Sequence, residues 1–353
     1  MLFNYEYPRR IRAGFIGAGM HAFRNIYPCF QYLPIDLVAI ADHHEEKAKA
    51  FARMFGAEHW YLSHDEMLEK EKPDAVFICV GQDQLGRPHY PKLGIQAMQA
   101  GCHVWIEKPP AATTDEIREM QKVSQETGKF VVVGFKKCFM PAIEKAKEII
   151  SRPEFGGVTS VYSRYPLSLP PFGQRENFKT FGDIVHPASA LHYLLGPLGA
   201  LSYAWHPATG GVAATLQFRS GAIGALHITA SQGGGPLERI EIIGNGANVV
   251  IDNGMRVIYY RKAPQRDYGR TPDYFTSDEG AALHWEPEFS LGQLYNKALF
   301  LMGYVQQVDY FAQCVLDHRP PTKCGLDDAL EITKWLEAFM NNRPDERIEI
   351  PSS

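Results

Sequence analysis

Residues 11–22 of the chain read IRAGFIGAGMHA, a short apolar run followed by Gly17, Gly19 and Ala22 in the spacing G-x-G-x-x-G/A. The first glycine makes a tight turn, the second lets the backbone approach phosphate groups, and the third small residue lets a helix pack closely on the sheet. Free N–H groups at the start of that helix then face the negative charge of a pyrophosphate. The stretch therefore predicts the cofactor loop of a Rossmann domain, with cofactor contacts from Gly17, Gly19, Met20 and His21.

Two patterns follow along the chain. Up to about Phe135, short apolar runs such as LVAIAD, AVFICV and FVVVGF alternate with helical segments, which predicts a doubly wound parallel sheet. After a helix near residues 141–150, strand-like runs follow one another with turn signals such as Asn245-Gly246 between them. We therefore expect an α/β chain with an N-terminal Rossmann domain over residues 1–136. A C-terminal α+β domain over residues 137–353 would carry an open-faced, mostly antiparallel sheet, with helices near residues 294–317 and 326–340 covering one face of it.

Composition argues against several classes of protein. Because 36 basic residues stand against 40 acidic ones without a stripe of Lys and Arg, we do not expect the chain to bind nucleic acid. No apolar run approaches the roughly 20 residues of a membrane span. The first residues lack the apolar core of a signal peptide, and the six cysteines are scattered without a CxxC pair. We expect a cytoplasmic protein that acts on a small molecule.

Asp42 ends the second predicted strand, where a carboxylate accepts hydrogen bonds from the adenosine ribose hydroxyls of a dinucleotide. The same carboxylate would repel a 2′-phosphate, so we expect NAD to be preferred over NADP, with His43 also at the cofactor. His43, His44 and Lys47 would weaken that preference. The alternative role for Asp42 is the N-cap of the following helix, EEKAKAFARMF.

Glu107-Lys108-Pro109 follows the predicted strand HVWI, at the strand ends where open α/β sheets bind their ligands. We expect Glu107 and Lys108 beside the cofactor, and Lys108 as a catalytic donor to a substrate oxygen. The proline restricts the backbone before it and permits a cis bond, so the lysine would be held in one direction. The alternative is an ordinary solvated lysine.

A helix with Pro187 at its first position places His186 at the N-cap, where the helix dipole favours the neutral imidazole that a general base needs. Asp183 would orient that imidazole or contact the ligand, and both residues are predicted to be catalytic. The alternatives are simple capping for His186 and a turn role for Asp183. No metal site is expected, because the helix turns His192 away from the other two residues.

Further candidates for substrate contact lie around a Pro-rich and aromatic segment over residues 166–181, which is long enough for a functional loop. Arg164, Arg175 and Lys179 would suit an acidic sugar or a phosphate, and Tyr165 would help to shape the pocket. Solvated loop charges are the alternative. His192 shares its helix with several leucines, so packing is its commoner role, although we keep it among the candidates.

The ordered set of GAGMHA, Asp42, EKP, GFKKCFMPA, the His186 helix and ERIEIIGNGANVVID resembles the glucose-fructose oxidoreductase and inositol dehydrogenase family, Gfo/Idh/MocA. The resemblance implies NAD(P)-dependent chemistry on sugars or cyclitols, and homo-oligomers that often form through the second sheet. It implies catalytic roles for Lys108 and His186. Family members carry an aspartate four residues before that histidine, often a carboxylate three residues after it, and frequently an arginine in GFxxRF. These positions hold Gly182, Ser189 and Cys138 here.

The first functional hypothesis is an NAD-dependent dehydrogenase. His186 would take the proton of a substrate hydroxyl, Lys108 would stabilise the developing alkoxide, and the hydride on the same carbon would pass to NAD. The second hypothesis is a redox-neutral enzyme with tightly bound NAD that cleaves or epimerises a glycoside after oxidation at its 3-position. The third is a non-catalytic protein that binds NAD as a sensor. Release of NADH during turnover separates the first from the second.

Overall fold

The strand that ends in the glycine loop lies in the middle of a six-stranded parallel sheet. The computed structural model describes residues 6–172, 178–230, 237–261, 280–288 and 296–352. The strands are β1 (Ile11–Ile16), β2 (Ile35–Ala41), β3 (His59–Tyr61), β4 (Ala75–Ile78), β5 (His103–Ile106) and β6 (Val131–Val133), in the spatial order β3-β2-β1-β4-β5-β6. The order reverses between β1 and β4, which is the switch point where doubly wound sheets bind ligands. The predicted Rossmann sheet is confirmed.

Helices cover both faces of this sheet, which is why all four residues of β4 are buried. They are α1 (Met20–Asn25), α2 (Glu45–Phe55), α3 (His64–Glu71), α4 (Tyr90–Gln99) and α5 (Thr114–Thr127). Local sequence sets their ends. A capping box of Thr113 and Glu116 begins α5, and Gly128 ends it in the left-handed conformation.

The second half of the chain forms a nine-stranded sheet. Its elements are α6 (Pro141–Ile150), β7 (Val158–Tyr165), α7 (Phe178–Phe181), α8 (Val185–Leu195), β8 (Leu198–Trp205), β9 (Val212–Phe218), β10 (Ile223–Ile228), β11 (Arg239–Gly244), β12 (Asn248–Asp252), β13 (Arg256–Tyr260), β14 (Leu283–Trp285) and β15 (Ile348–Glu349). The spatial order is β14-β13-β12-β11-β7-β10-β9-β8-β15, and among these described strands only β7 and β10 pair in parallel. The predicted mostly antiparallel sheet is confirmed.

One face of the second sheet is open. In β9, Val212 and Leu216 are buried whereas Ala213, Thr215 and Gln217 are exposed, the alternation of a strand with one covered face. Helices α6 and α8 pack on the covered face. Among the described residues of β8, β9 and β10, the open face carries short or polar side chains such as Ser202, Thr215 and His227, together with the exposed Ile223.

The last helices are α9 (Lys297–Leu301), α10 (Tyr304–Leu316) and α11 (Leu326–Asn341). The expectation that both long helices cover the second sheet is wrong for α10. Phe311 of α10 packs on Phe77 of the first sheet, with ring centroids 5.2 Å apart. By contrast, α11 contacts α5 and α8, and its Trp335 faces Phe218 of the second sheet. Helical periodicity shows that a helix has an apolar face, but it does not say which sheet receives that face.

The division of the chain at residues 136 and 137 stays a prediction, because the chain returns to the first sheet through α10. In the part of the chain that the structure describes, no helix combines the length and apolar character needed to cross a membrane.

Candidate active site

Gly17 occupies a backbone conformation that only glycine adopts easily. Its φ is +114°, and a Cβ built on it would lie 2.2 Å from the carbonyl oxygen of Cys79. The turn is held by hydrogen bonds from Gly17 N to the Ala41 oxygen at 2.8 Å and from Tyr27 Oη to the Gly17 oxygen at 2.9 Å. The loop is therefore fixed where the first, second and fourth strands end.

Gly19 differs from Gly17, since its φ is −93° and a Cβ built on it would meet no atom within 4 Å. It precedes α1, and no side chain among the described residues caps the N–H groups of that helix. The open space belongs to a cleft of about 660 Å³, which we call the dinucleotide cleft. Its lining includes Gly17, Gly19, Met20, His21, Asp42, His43, His44 and Lys47. A glycine that the protein backbone itself does not require fits a loop that accommodates a ligand phosphate.

Asp42 joins the end of β2 to the glycine loop. Its Oδ2 accepts a hydrogen bond from Ala18 N at 2.8 Å, and its Oδ1 accepts one from His44 N at 2.9 Å. The alternative that Asp42 caps the next helix is wrong, because α2 begins at Glu45 with His44 at the N-cap. Asp42 lies in the lining of the dinucleotide cleft, as the ribose prediction requires.

A second, smaller cavity adjoins the dinucleotide cleft. This inner cavity has a volume of about 240 Å³, and it is lined by His21, Glu107, Lys108, Gly134, Lys136, Asp183, His186 and Tyr304. His21 lines both spaces. A ligand that fills the cleft would therefore reach the mouth of the inner cavity near His21.

The three predicted catalytic residues meet in the inner cavity. Lys108 Nζ donates a hydrogen bond to Asp183 Oδ1 at 2.7 Å, and His186 Nε2 lies 3.9 Å from the same oxygen. The peptide bond between Lys108 and Pro109 is cis. One ammonium, one carboxylate and one imidazole thus surround a space large enough for part of a small molecule.

Gly182, at the position of the family's aspartate, packs closely on Pro109. A Cβ built on Gly182 would lie 3.0 Å from Cγ of Pro109, so a side chain there would require the proline after Lys108 to shift by a few tenths of an ångström. Residues 182–184 form a 3-10 turn before α8, which brings Asp183 to Lys108 instead. Ser189, the other altered position on this helix, is buried and donates to the His186 carbonyl oxygen at 3.1 Å.

His186 does not cap its helix, so that prediction is wrong. The helix α8 begins at Val185, and His186 lies in its first turn. The expected neutral imidazole has a different cause. Burial lowers the pKa of His186 well below its usual range, and the positive charges of Lys108 and Lys137 lower this pKa further. A neutral imidazole beside the cavity is able to accept a proton.

Glu107 is buried beneath the cavity and fixes the residues around it. Its Oε1 lies 3.2 Å from His21 Nε2, and its Oε2 accepts a hydrogen bond from Lys108 N at 2.9 Å. Glu107 therefore links the glycine loop to Lys108.

Lys136 and Tyr304 line the inner cavity, although the sequence reasoning missed both. Lys136 follows β6, so the rule that ligands bind beyond strand ends would have found it. Tyr304 belongs to α10, whose docking on the first sheet no local pattern reveals. The Lys136 ammonium lies 4.7 Å from the centroid of the Tyr304 ring.

The two candidates for substrate contact on β7, Tyr165 and Arg164, point to opposite faces of the second sheet. Tyr165 faces the site, since its ring centroid lies 6.2 Å from that of His186. Arg164 is the preceding residue of the same strand and so points to the open face. Arg164 does not line the inner cavity, and its contact with substrate stays a prediction.

His192 and Lys179 also lie away from the inner cavity. His192 Nε2 pairs with Asp328 Oδ1 at 2.8 Å, which fits the packing role, and its contact with substrate stays a prediction. Lys179 is exposed on α7, whose backbone packs against Gly86. Its contact with substrate stays a prediction, and Arg175 lies outside the described residues. No group of three potential metal ligands occurs in the described ranges.

Residues 11–135 match the family model GFO_IDH_MocA, described as an oxidoreductase family with an NAD-binding Rossmann fold. The D-glucoside 3-dehydrogenase of Escherichia coli is 31% identical over 196 residues, a match that spans 53% of this chain and 54% of that protein. The NAD-dependent scyllo-inositol 2-dehydrogenase of Bacillus subtilis is 24% identical over 95% of this chain and 96% of its own.

A dehydrogenase from Chromobacterium violaceum has a similar structure, with a TM-score of 0.78 at 21% identity over 94% of each chain. At this level of identity the likeness shows a shared fold. The fold extends through both sheets, whereas the family model covers the first.

Substitution by alanine should have different effects at the two glycines of the loop. Gly17→Ala should lower the melting temperature of the cofactor-free protein, because a strained backbone and a clash with Cys79 cost at least about 2 kcal/mol. Gly19→Ala should melt like the unchanged protein and yet bind NAD at least about tenfold more weakly, because its methyl group enters the cleft. Thermal unfolding and calorimetric titration with NAD measure the two effects. Equal losses of stability in the two variants would contradict this assignment.

Proposed function

We propose, from the match of residues 11–135 to the Gfo/Idh/MocA family of oxidoreductases, that this chain transfers a hydride between a hydroxyl-bearing carbon of a sugar or cyclitol and NAD. The observation that carries the proposal is the inner cavity, in which Lys108, Asp183 and His186 meet beside the dinucleotide cleft. The names of the two relatives, a glucoside dehydrogenase and an inositol dehydrogenase, support the substrate class.

The residues of the inner cavity divide the chemistry between them. His186, neutral because it is buried, accepts the proton of the substrate hydroxyl. Lys108 donates a hydrogen bond to the same oxygen and stabilises the negative charge that develops on it. Asp183 holds the lysine in place through its 2.7 Å hydrogen bond. When bound, NAD supplies the acceptor for the hydride that leaves the same carbon.

The likeness to a D-glucoside 3-dehydrogenase also favours a second candidate. Oxidation at the 3-position of a glycoside makes the neighbouring C–H acidic, so a base can remove that proton while the anomeric substituent leaves. Water would then add at the anomeric carbon of the resulting enone, and hydride return from the cofactor to the 3-position would leave no net redox change. In this reaction NAD stays bound, and the products form without free NADH.

Substitution of Lys108 and of His186 tests the roles proposed for these two residues. Lys108→Met and His186→Asn should each lower kcat by about 100-fold or more, since each removes a group that acts on the reacting oxygen. His186→Asn should keep its affinity for NAD. A panel of cyclitols, hexoses, uronates and glycosides is assayed for NADH and, separately, for products.

The control for the lost charge is Lys122→Met, which removes an exposed lysine of α5.

NADH release supports the dehydrogenase, and products without NADH support the redox-neutral reaction. Retained turnover in either active-site variant would refute the assigned role.

We propose that NAD is preferred over NADP, on the position of the Asp42 carboxylate in the dinucleotide cleft. Asp42→Asn keeps the size of the side chain and removes its charge, so it should lower the ratio of kcat/KM for NAD to that for NADP by about tenfold. Asp42 also hydrogen-bonds the glycine loop, and for this reason the ratio is more informative than either value alone. Equal use of the two cofactors by the unchanged protein would contradict the proposal.

We propose a homo-oligomer that forms through the open face of the second sheet. Ala225 of β10 lies between Tyr162 of β7 and Thr215 of β9 on this face. Nε of Arg164, on the same face, is buried without a hydrogen-bond partner among the described residues. Ala225→Glu should shift the mass measured by light scattering toward the 39.7 kDa of one chain. A monomeric unchanged protein would refute the proposal.

We also propose a cytoplasmic location. All six cysteines are free and buried, as thiols in a reducing compartment are. Fractionation of the producing cells checks this location, and recovery outside the cytoplasm would contradict it.

A further inference from the structure

Lys136 differs from the other charged groups around the inner cavity. Lys108 pairs with Asp183, Lys137 pairs with Glu238, and Glu107 binds His21 and a backbone N–H group. Among the described residues, no carboxylate oxygen lies within 4.0 Å of the Lys136 ammonium, which contacts the face of the Tyr304 ring. Lys136 is thus a cation that lines the inner cavity without an acidic partner in the described protein.

An unpaired ammonium is unfavourable in this position. Burial lowers the pKa of Lys136 to about 8, with a further contribution from Lys137. The group is still mainly charged at neutral pH. A buried charge without a partner loses hydration that only an opposite charge restores, so the inner cavity favours a ligand that brings an anion.

The backbone of Lys136 is held in place. Gly303 packs so closely on the Lys136 carbonyl that a Cβ there would lie 2.5 Å from this oxygen. Tyr304, the next residue, places its ring beneath the ammonium. The cation is therefore at a defined position in the same cavity as Lys108 and His186.

We propose that Lys136 binds a carboxylate of the substrate, so that the substrate is a sugar acid. This inference rests on the proposed dehydrogenase function and specifies its substrate class. Lys108 and His186 would hold the reacting hydroxyl while Lys136 holds the acid group, and two fixed points orient the ring. The cationic residues expected from sequence do not serve this purpose, because Arg164 points to the open face and Lys179 does not line the cavity.

Matched substrates test the proposal on the unchanged protein. The probes are methyl glucosiduronate and methyl glucoside, each as both anomers, together with the corresponding galacto pair and glucose 6-phosphate. The uronates should have a kcat/KM about 10- to 100-fold above that of their neutral partners, the usual effect of one charge-assisted hydrogen bond. Equal values for acid and neutral sugars would overturn the inference and leave the dehydrogenase intact. A phosphate preferred over the uronates would overturn the carboxylate assignment, and no turnover of any sugar would instead count against the proposed function.

Substitution of Lys136 then tests the residue. Lys136→Met should lower kcat/KM for the uronates about 10- to 100-fold more than for the neutral sugars, mainly through KM. Lys136→Arg should recover part of this difference, because arginine keeps the charge. Lys122→Met serves as the charge control. Thermal unfolding of each variant identifies loss of the fold, and the Arg variant remains informative where the Met variant is unstable. An equal loss for acid and neutral sugars, or a change in the KM for NAD in place of the uronate, would refute the role.

The pH dependence gives an independent readout. Since only the ammonium binds an anion, the ratio of kcat/KM for uronate to that for glucoside should fall as the pH rises through about 8, and in Lys136→Arg it should stay flat. The ratio cancels titrations that affect both substrates. The charged and titratable groups that face Lys136 are Lys137, Glu107, Lys108, Glu238, His21, Asp183, His186 and Tyr304. A ratio that does not change with pH would argue against the charge of Lys136.

Discussion

The Lys108 ammonium and the Asp183 carboxylate meet at 2.7 Å across the boundary between the two sheets, and the geometry of the site depends on this contact. Lys108 comes from the end of a Rossmann strand, whereas Asp183 comes from the turn before a helix of the second half of the chain. Neither sheet alone assembles the site. Glu107 extends the same connection to His21 of the glycine loop, so the cofactor loop, the lysine and the acid form one chain of hydrogen bonds.

Burial lowers the pKa of both His186 and Lys136, but the consequences for the two groups differ. It lowers the pKa of His186 well below its usual range, which favours the neutral imidazole that accepts a proton. It lowers the pKa of Lys136 only to about 8, so the ammonium keeps its charge and lacks a partner. Since the acids nearby are already engaged, the residual positive charge is available to the ligand.

Local sequence rules predicted the parts of the structure that local interactions determine. The glycine loop, the order of strands and helices, and the meander of the second half follow from turn chemistry and apolar periodicity. The roles of Lys108, Asp183 and His186 came from strand ends, helix starts and the family resemblance. Local patterns do not reveal long-range packing. Tyr304 was therefore missed together with the docking of α10 on the first sheet. Of two neighbouring residues in β7, Tyr165 faces the site, whereas Arg164 does not line the inner cavity.

Gly182 shows how a chain can depart from a family motif without losing the group that the motif supplies. Pro109 lies close to residue 182, with 3.0 Å between its Cγ and a Cβ placed there, so an acid at the family position would require a small shift of this proline. A shift by one residue along an extended strand would turn the side chain to the other face. In the 3-10 turn before α8 the same shift rotates the side chain by only about a third of a turn, and the carboxylate still reaches the lysine. The helical context of the acid, and not its position in the motif, therefore preserves the contact on which the site depends.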